Sequence, residues 1–165
     1  MSKHSVLRLT DISFEEIASL LNKYHLELHL SEATEEIPGS FWGDDEAGLI
    51  ANKIYARPTT PIHSILHESC HYICMDDARR DDLDTNAGGD YDEENAVCYL
   101  QILLAKHLPS MGTPRMLQDM DTWGYTFRLG SAQAWFENDA EDAQQWLQSH
   151  KLIQSNNKLR YTLRD

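Results

Sequence analysis

Residues 67–71 read His-Glu-Ser-Cys-His. On a helix, four residues make about one turn, so His67 and His71 leave the same face. Two imidazoles at that spacing can hold one zinc ion. Glu68 lies about 100° round the helix, beside the open side of such a site, where its carboxylate can take a proton from water. Zinc brings the pKa of its water to about 7. The pattern therefore supplies two ligands and a general base. His63 sits one turn earlier on the same face. The ends of the His63–His71 triplet are about 12 Å apart at 1.5 Å per residue, so His63 reads as a neighbour, not a ligand.

A third protein ligand is needed if one coordination position is to stay open. The run Asp92-Glu93-Glu94-Asn95-Ala96 begins a second helix and offers two carboxylates. Stepping three, four and seven residues on from Glu93 reaches Ala96, Val97 and Leu100, an apolar stripe facing the core. The same steps from Glu94 reach Val97, Cys98 and Gln101, a less apolar face. Glu93 is thus the better candidate, with Glu94 left open. The plain alternative is that both glutamates favour the positive end of the helix dipole.

These residues carry a resemblance. His67-Glu68-x-x-His71, followed by Asp92-Glu93 and a small residue at Ala96, resembles the gluzincin branch of the zincin metallopeptidases in a minimal single-domain form. The resemblance covers about residues 40–105. It implies His67, His71 and Glu93 as ligands of one zinc ion, Glu68 as the catalytic base, and peptide-bond hydrolysis by a metal-activated water. It also implies that the segment Gly48–Arg57 is an edge strand on which an extended peptide is held by main-chain hydrogen bonds. Tyr125, Tyr91 and His107 are available to steady the oxyanion, and no motif selects among them.

The elements that must position these groups follow from periodicity and turn chemistry. Ser13 and Glu16 form a capping box, after which Ile17, Leu20, Leu21 and Tyr24 share a helical face. Leu26, Leu28 and Leu30 alternate with Glu27 and His29, as in a half-buried strand. Pro38-Gly39 and residues 43–48 are turn material, between the hairpin arms Phe41-Trp42 and Leu49–Ala56. Thr60-Pro61 starts the site helix, which runs to about Met75. A loop over 76–92 precedes the second helix, Asp92 to about His107. A short helix spans Met116–Trp123. A longer one capped by Ser131 buries Phe136, Ala140, Ala143 and Leu147. The tail turns back at Asn156-Asn157. The expectation is one α+β, zincin-like domain: a small twisted sheet packed on two active-site helices (core about 12–107), with C-terminal helices and a hairpin over about 113–165.

Composition limits the partners. The chain has 165 residues, 41% hydrophobic, with a net charge of −13. That opposes affinity for nucleic acid, which needs clustered Lys and Arg. No apolar run reaches the roughly 20 residues of a membrane helix. Three cysteines, Cys70, Cys74 and Cys98, and no secretory signal pattern suggest reduced, packed thiols and a cytoplasmic protein; the metallopeptidase resemblance implies a peptide or protein substrate. Two rival readings compete. Asp82, Asp84, Asn86, Asp90 and Glu93 fall at EF-hand positions, although Ala87 stands where the loop wants Gly. Ala143–Leu163 has the outline of a winged helix, with Lys151, Lys158, Arg160 and Arg164 as its basic residues. Packing against the domain is the favoured role for that segment. A zinc- or calcium-binding interaction protein without turnover is the alternative to an enzyme.

Overall fold

A computed structural model describes residues 6–32, 37–38, 45–81 and 89–165. The described elements are α1 (Phe14–Asn22), β1 (Glu27–Leu30), β2 (Gly48–Ile50), β3 (Lys53–Ala56), α2 (Ile62–Cys74), α3 (Asp77–Asp81), α4 (Tyr91–Ala105), α5 (Gly112–Trp123), α6 (Ala132–Asn138) and α7 (Glu141–Ser149). The fold class is α+β, as expected.

The sheet has the order β1-β3-β2. β3 pairs parallel with β1, Leu28 opposite Ile54, and antiparallel with β2, Leu49 opposite Ile54. The hairpin therefore differs from the expected one. It lies wholly within residues 48–56 and turns at Ala51, whose φ is 53°, instead of joining Phe41-Trp42 to a single long arm. A stretch of eight apolar-rich residues is long enough for one strand, and the turn inside it carries none of the usual Gly signals. Phe41-Trp42 lies outside the described residues, as do Gly39 and Gly43. β3 is the central strand with both edges taken, so the segment 48–57 is not a single edge strand.

α2 covers the sheet. Ser64, on its first turn, accepts a 2.8 Å hydrogen bond from the backbone N–H of Ala47, just before β2. Ile62, Ile65, Leu66 and Ile73 of α2 are fully buried, together with Leu49, Ile54 and Leu100. Burying each such side chain stabilises by about 1.5–3 kcal/mol. Pro61, not Thr60, is the N-cap of α2, and the Thr60 hydroxyl instead accepts from the Arg57 N–H at 2.8 Å. Likewise Ser13 caps α1 by backbone geometry alone. The Glu16 carboxylate leaves the helix end to bind the N–H and hydroxyl of Ser110. Local capping gave way there to a long-range anchor.

α4 packs along α2. It is capped by Asp90, whose carboxylate accepts from the Glu93 N–H at 2.8 Å. Nearly every side of α4 is buried, which is how a helix between two layers reads. The expected long helix after Ser131 is two helices, broken at Asp139-Ala140. Ser131 caps the first through the Ala134 N–H. The turn at Asn156-Asn157 is present, but only an isolated bridge, Ile153 to Leu159, joins its arms. No helix among the described residues is long and apolar enough to cross a membrane.

Candidate metal centre

α2 presents His67 and His71 toward α4, and their Nε2 atoms lie 3.2 Å apart. Glu94, in the first turn of α4, completes the group. Its Oε1 is 3.1 Å from His67 Nε2, and its Oε2 is 3.3 Å from His71 Nε2. Ligands held at about 2.0–2.1 Å from a tetrahedral zinc ion lie about 3.3 Å from one another. The three separations, with Glu94 reaching each imidazole through a different oxygen, are close to that spacing, so the donor set fits a single divalent ion. Cys98, one turn beyond Glu94, lies near His67 and Glu94. One donor atom from each of His67, Glu94 and Cys98 can be chosen so that all lie within 4.8 Å of one another.

Glu93 is elsewhere. Its carboxylate forms a fork with Arg79, Nη1 to Oε2 at 3.1 Å and Nη2 to Oε1 at 2.5 Å, and Oε1 also accepts from Arg164 Nη1 at 3.0 Å. The structure does not bring Glu93, the expected third ligand, to the two histidines; its neighbour Glu94 meets them instead. Glu93 is only 3% exposed, so its apolar stripe did point inward. A buried carboxylate needs a partner, and the partners are two guanidiniums. Gly89 makes room for this cluster. A Cβ there would stand 2.0 Å from Glu93 Oε2. The EF-hand reading loses two of its ligands in the same way, because Asp90 caps α4 and Glu93 is held by arginines. Asp82, Asp84 and Asn86 lie outside the described residues.

Gln101 is the residue that sequence reasoning missed. Fully buried on α4, it accepts at Oε1 from His67 Nδ1, 2.9 Å away, while its amide donates to the His63 carbonyl at 2.9 Å. The donated amide fixes which end of Gln101 faces the imidazole. In its neutral form His67 then carries its proton on Nδ1, which leaves the Nε2 lone pair directed at Glu94 and His71. Orientation of a ligating imidazole by a hydrogen bond to its other nitrogen is a recurring feature of metal sites. His71 differs, since its buried Nδ1 has no hydrogen-bond partner among the described residues.

The charge state of the centre follows from this crowding. Burial, reinforced by the charge on His67, pulls the His71 pKa down to about 4. Burial also works against a charged His67, but Tyr125 and the hydrogen bonds to Cys98 and Glu94 outweigh it and hold its pKa high. Glu94 is kept ionised: burial opposes its charge, and the hydrogen bond to His67 prevails. Glu68 sits beside the pair. Burial raises its pKa to about 7, the nearby His67 lowers it, and Glu46 and Glu94 raise it further. A carboxyl poised near neutrality can both accept and release a proton.

Tyr125 closes one side. Gly124 ends α5 at φ 106°, a left-handed conformation that glycine adopts freely, and the chain turns Tyr125 toward α2. The Tyr125 ring lies edge-on to His67, centroids 5.6 Å apart, and its hydroxyl is 3.1 Å from His63 Nδ1. The His63 ring also packs against Trp123. Of the three oxyanion candidates, only Tyr125 is placed at the centre. Tyr91 is 66% exposed, and His107 packs against Tyr161. Cys70 and Cys74 are fully buried in the core, where burial pushes their thiols well above the ordinary range. Comparison with protein-family models, with curated proteins and with solved structures finds no match for this chain.

Proposed function

We propose that the protein is a metal-dependent hydrolase, a zincin-like peptidase in which His67, His71 and Glu94 hold one zinc ion and Glu68 is the general base. The single observation that carries this reading is the meeting of two Nε2 atoms and one carboxylate at 3.1–3.3 Å from one another. When bound, zinc would supply Lewis acidity and make water nucleophilic near neutral pH. Glu68 would take the proton from the attacking water and pass it to the leaving amine. The Tyr125 hydroxyl would donate to the oxyanion of the scissile carbonyl. β1 and β2 each pair only with β3 among the described residues; β2, tied to α2 through the Ala47 N–H and the Ser64 hydroxyl, would be the strand to hold an extended peptide.

The first test is metal content. Wild type should hold one zinc per chain, and His67→Ala, His71→Ala and Glu94→Ala should hold little. Glu68→Gln should keep the metal and lose hydrolysis of a labelled unfolded protein. Equal zinc in all five proteins would end the reading. Two imidazoles and a carboxylate with open positions also suit Fe(II) in non-haem oxygenases. Iron as the bound metal would redirect the chemistry from hydrolysis to oxidation. The second reading is a metal-binding protein without turnover, and the placement of Cys98 beside the centre favours it.

A further inference from the structure

Cys98 lies four residues after Glu94 on α4, so both side chains leave the helix on one face. That face meets His67. Donor atoms of His67, Glu94 and Cys98 can all lie within 4.8 Å of one another. Cys98 is 8% exposed. The two other thiols, on α2, are fully buried in the apolar core, whose edge Cys98 also joins. Two triads thus share His67 and Glu94, one completed by His71 and the other by Cys98. A water-bearing centre uses three protein ligands, whereas a closed, structural zinc site uses four. Thiolate is among the preferred ligands of zinc.

We infer that Cys98 is a fourth ligand to the same ion and that its binding converts the centre into a closed, latent form. In the closing step the thiol releases its proton to solvent, sulfur takes the coordination position of one water, and that water leaves. No oxidation state changes. The reverse step restores the water, and alkylation of the sulfur would hold the centre open. This inference rests on the metal centre proposed above, and adds to it a mode of control by thiol chemistry.

Cobalt substitution tests it directly. The purified full chain is stripped of metal and loaded with Co2+, and its near-ultraviolet absorption is recorded. A thiolate-to-cobalt charge-transfer band is expected in wild type and in Cys70→Ala. It should vanish in Cys98→Ala, which should still bind one Co2+. Zinc-edge X-ray absorption on the wild-type zinc protein requires no variant and should show one sulfur neighbour. Zinc should also protect Cys98 from iodoacetamide by at least tenfold in rate. Co2+ bound through His67, His71 and Glu94 with no sulfur signal would overturn the role of Cys98 and leave the hydrolase reading intact. A sulfur signal that survives Cys98→Ala would overturn it too. A Cys98-dependent signal with no hydrolysis in wild type, Cys98→Ala or alkylated protein would support the ligand and sink the peptidase. If hydrolysis exists, Cys98→Ala should raise it severalfold.

Discussion

Two neighbouring glutamates at the start of α4 meet opposite surroundings. Glu94 faces two imidazoles, of which burial keeps His71 uncharged near neutral pH. Glu93 faces Arg79 and Arg164, two permanent cations in hydrogen-bonding range. Both residues are carboxylates on the same helical turn. What separates them is the supply of positive charge. Where the protein supplies it, the group is a structural rivet. Where the protein withholds it, the group is free to hold an ion from outside.

The contrast can be broken most sharply at Glu94. Glu94→Ala should abolish stoichiometric zinc retention in dialysis followed by elemental analysis, while Glu93→Ala should still bind the metal. The reverse result would restore Glu93 as ligand. Glu93→Ala should act on stability instead. Removing one member of a buried ion cluster costs about 3–5 kcal/mol when the remaining charge is trapped. Arg79 and Arg164 retain 35% and 22% side-chain exposure and can turn toward water, so a loss of about 2–3 kcal/mol in urea unfolding is expected. A change under 1 kcal/mol would mean that the cluster is incidental.

Gln101→Leu should weaken zinc affinity by about 10–100-fold, the usual effect of losing the hydrogen bond that orients a ligating imidazole. A competition titration with a chelator measures it, and unchanged affinity would remove Gln101 from the centre. The smallest effect is expected at Arg164→Met. It removes one of two cations from Glu93 and should cost about 1 kcal/mol, with one zinc per chain retained. Metal loss in that variant would show that the two clusters are not separable.

Much of this was legible beforehand. Helix α2 and its histidines follow from a one-turn spacing, and the α+β class follows from the alternation of periods. The carboxylate that meets the two imidazoles was not, for a reason visible in α4. Apolarity was taken as the mark of the core-facing side, yet α4 is buried on nearly all sides. The steps from Glu94 to Cys98 and Gln101 looked less apolar because those residues surround His67. A polar stripe in an otherwise apolar helix was the available signal. The capping boxes misled in a related way. Ser13–Glu16 and Thr60 have the right residue types, but long-range partners competed for the same side chains.

The tail has one more bearing on the molecule. Arg164 donates to the Cys74 carbonyl at 3.1 Å across a sequence separation of 90, and its own carbonyl is gripped by Arg80. Closing so long a loop adds little to its entropic cost, but pairings of such separation are among the slow steps of folding. The joint between the end of α2 and the start of α4 is therefore completed from far downstream. Loading of the ion should lag behind secondary-structure formation during refolding and keep pace with the docking of residue 164.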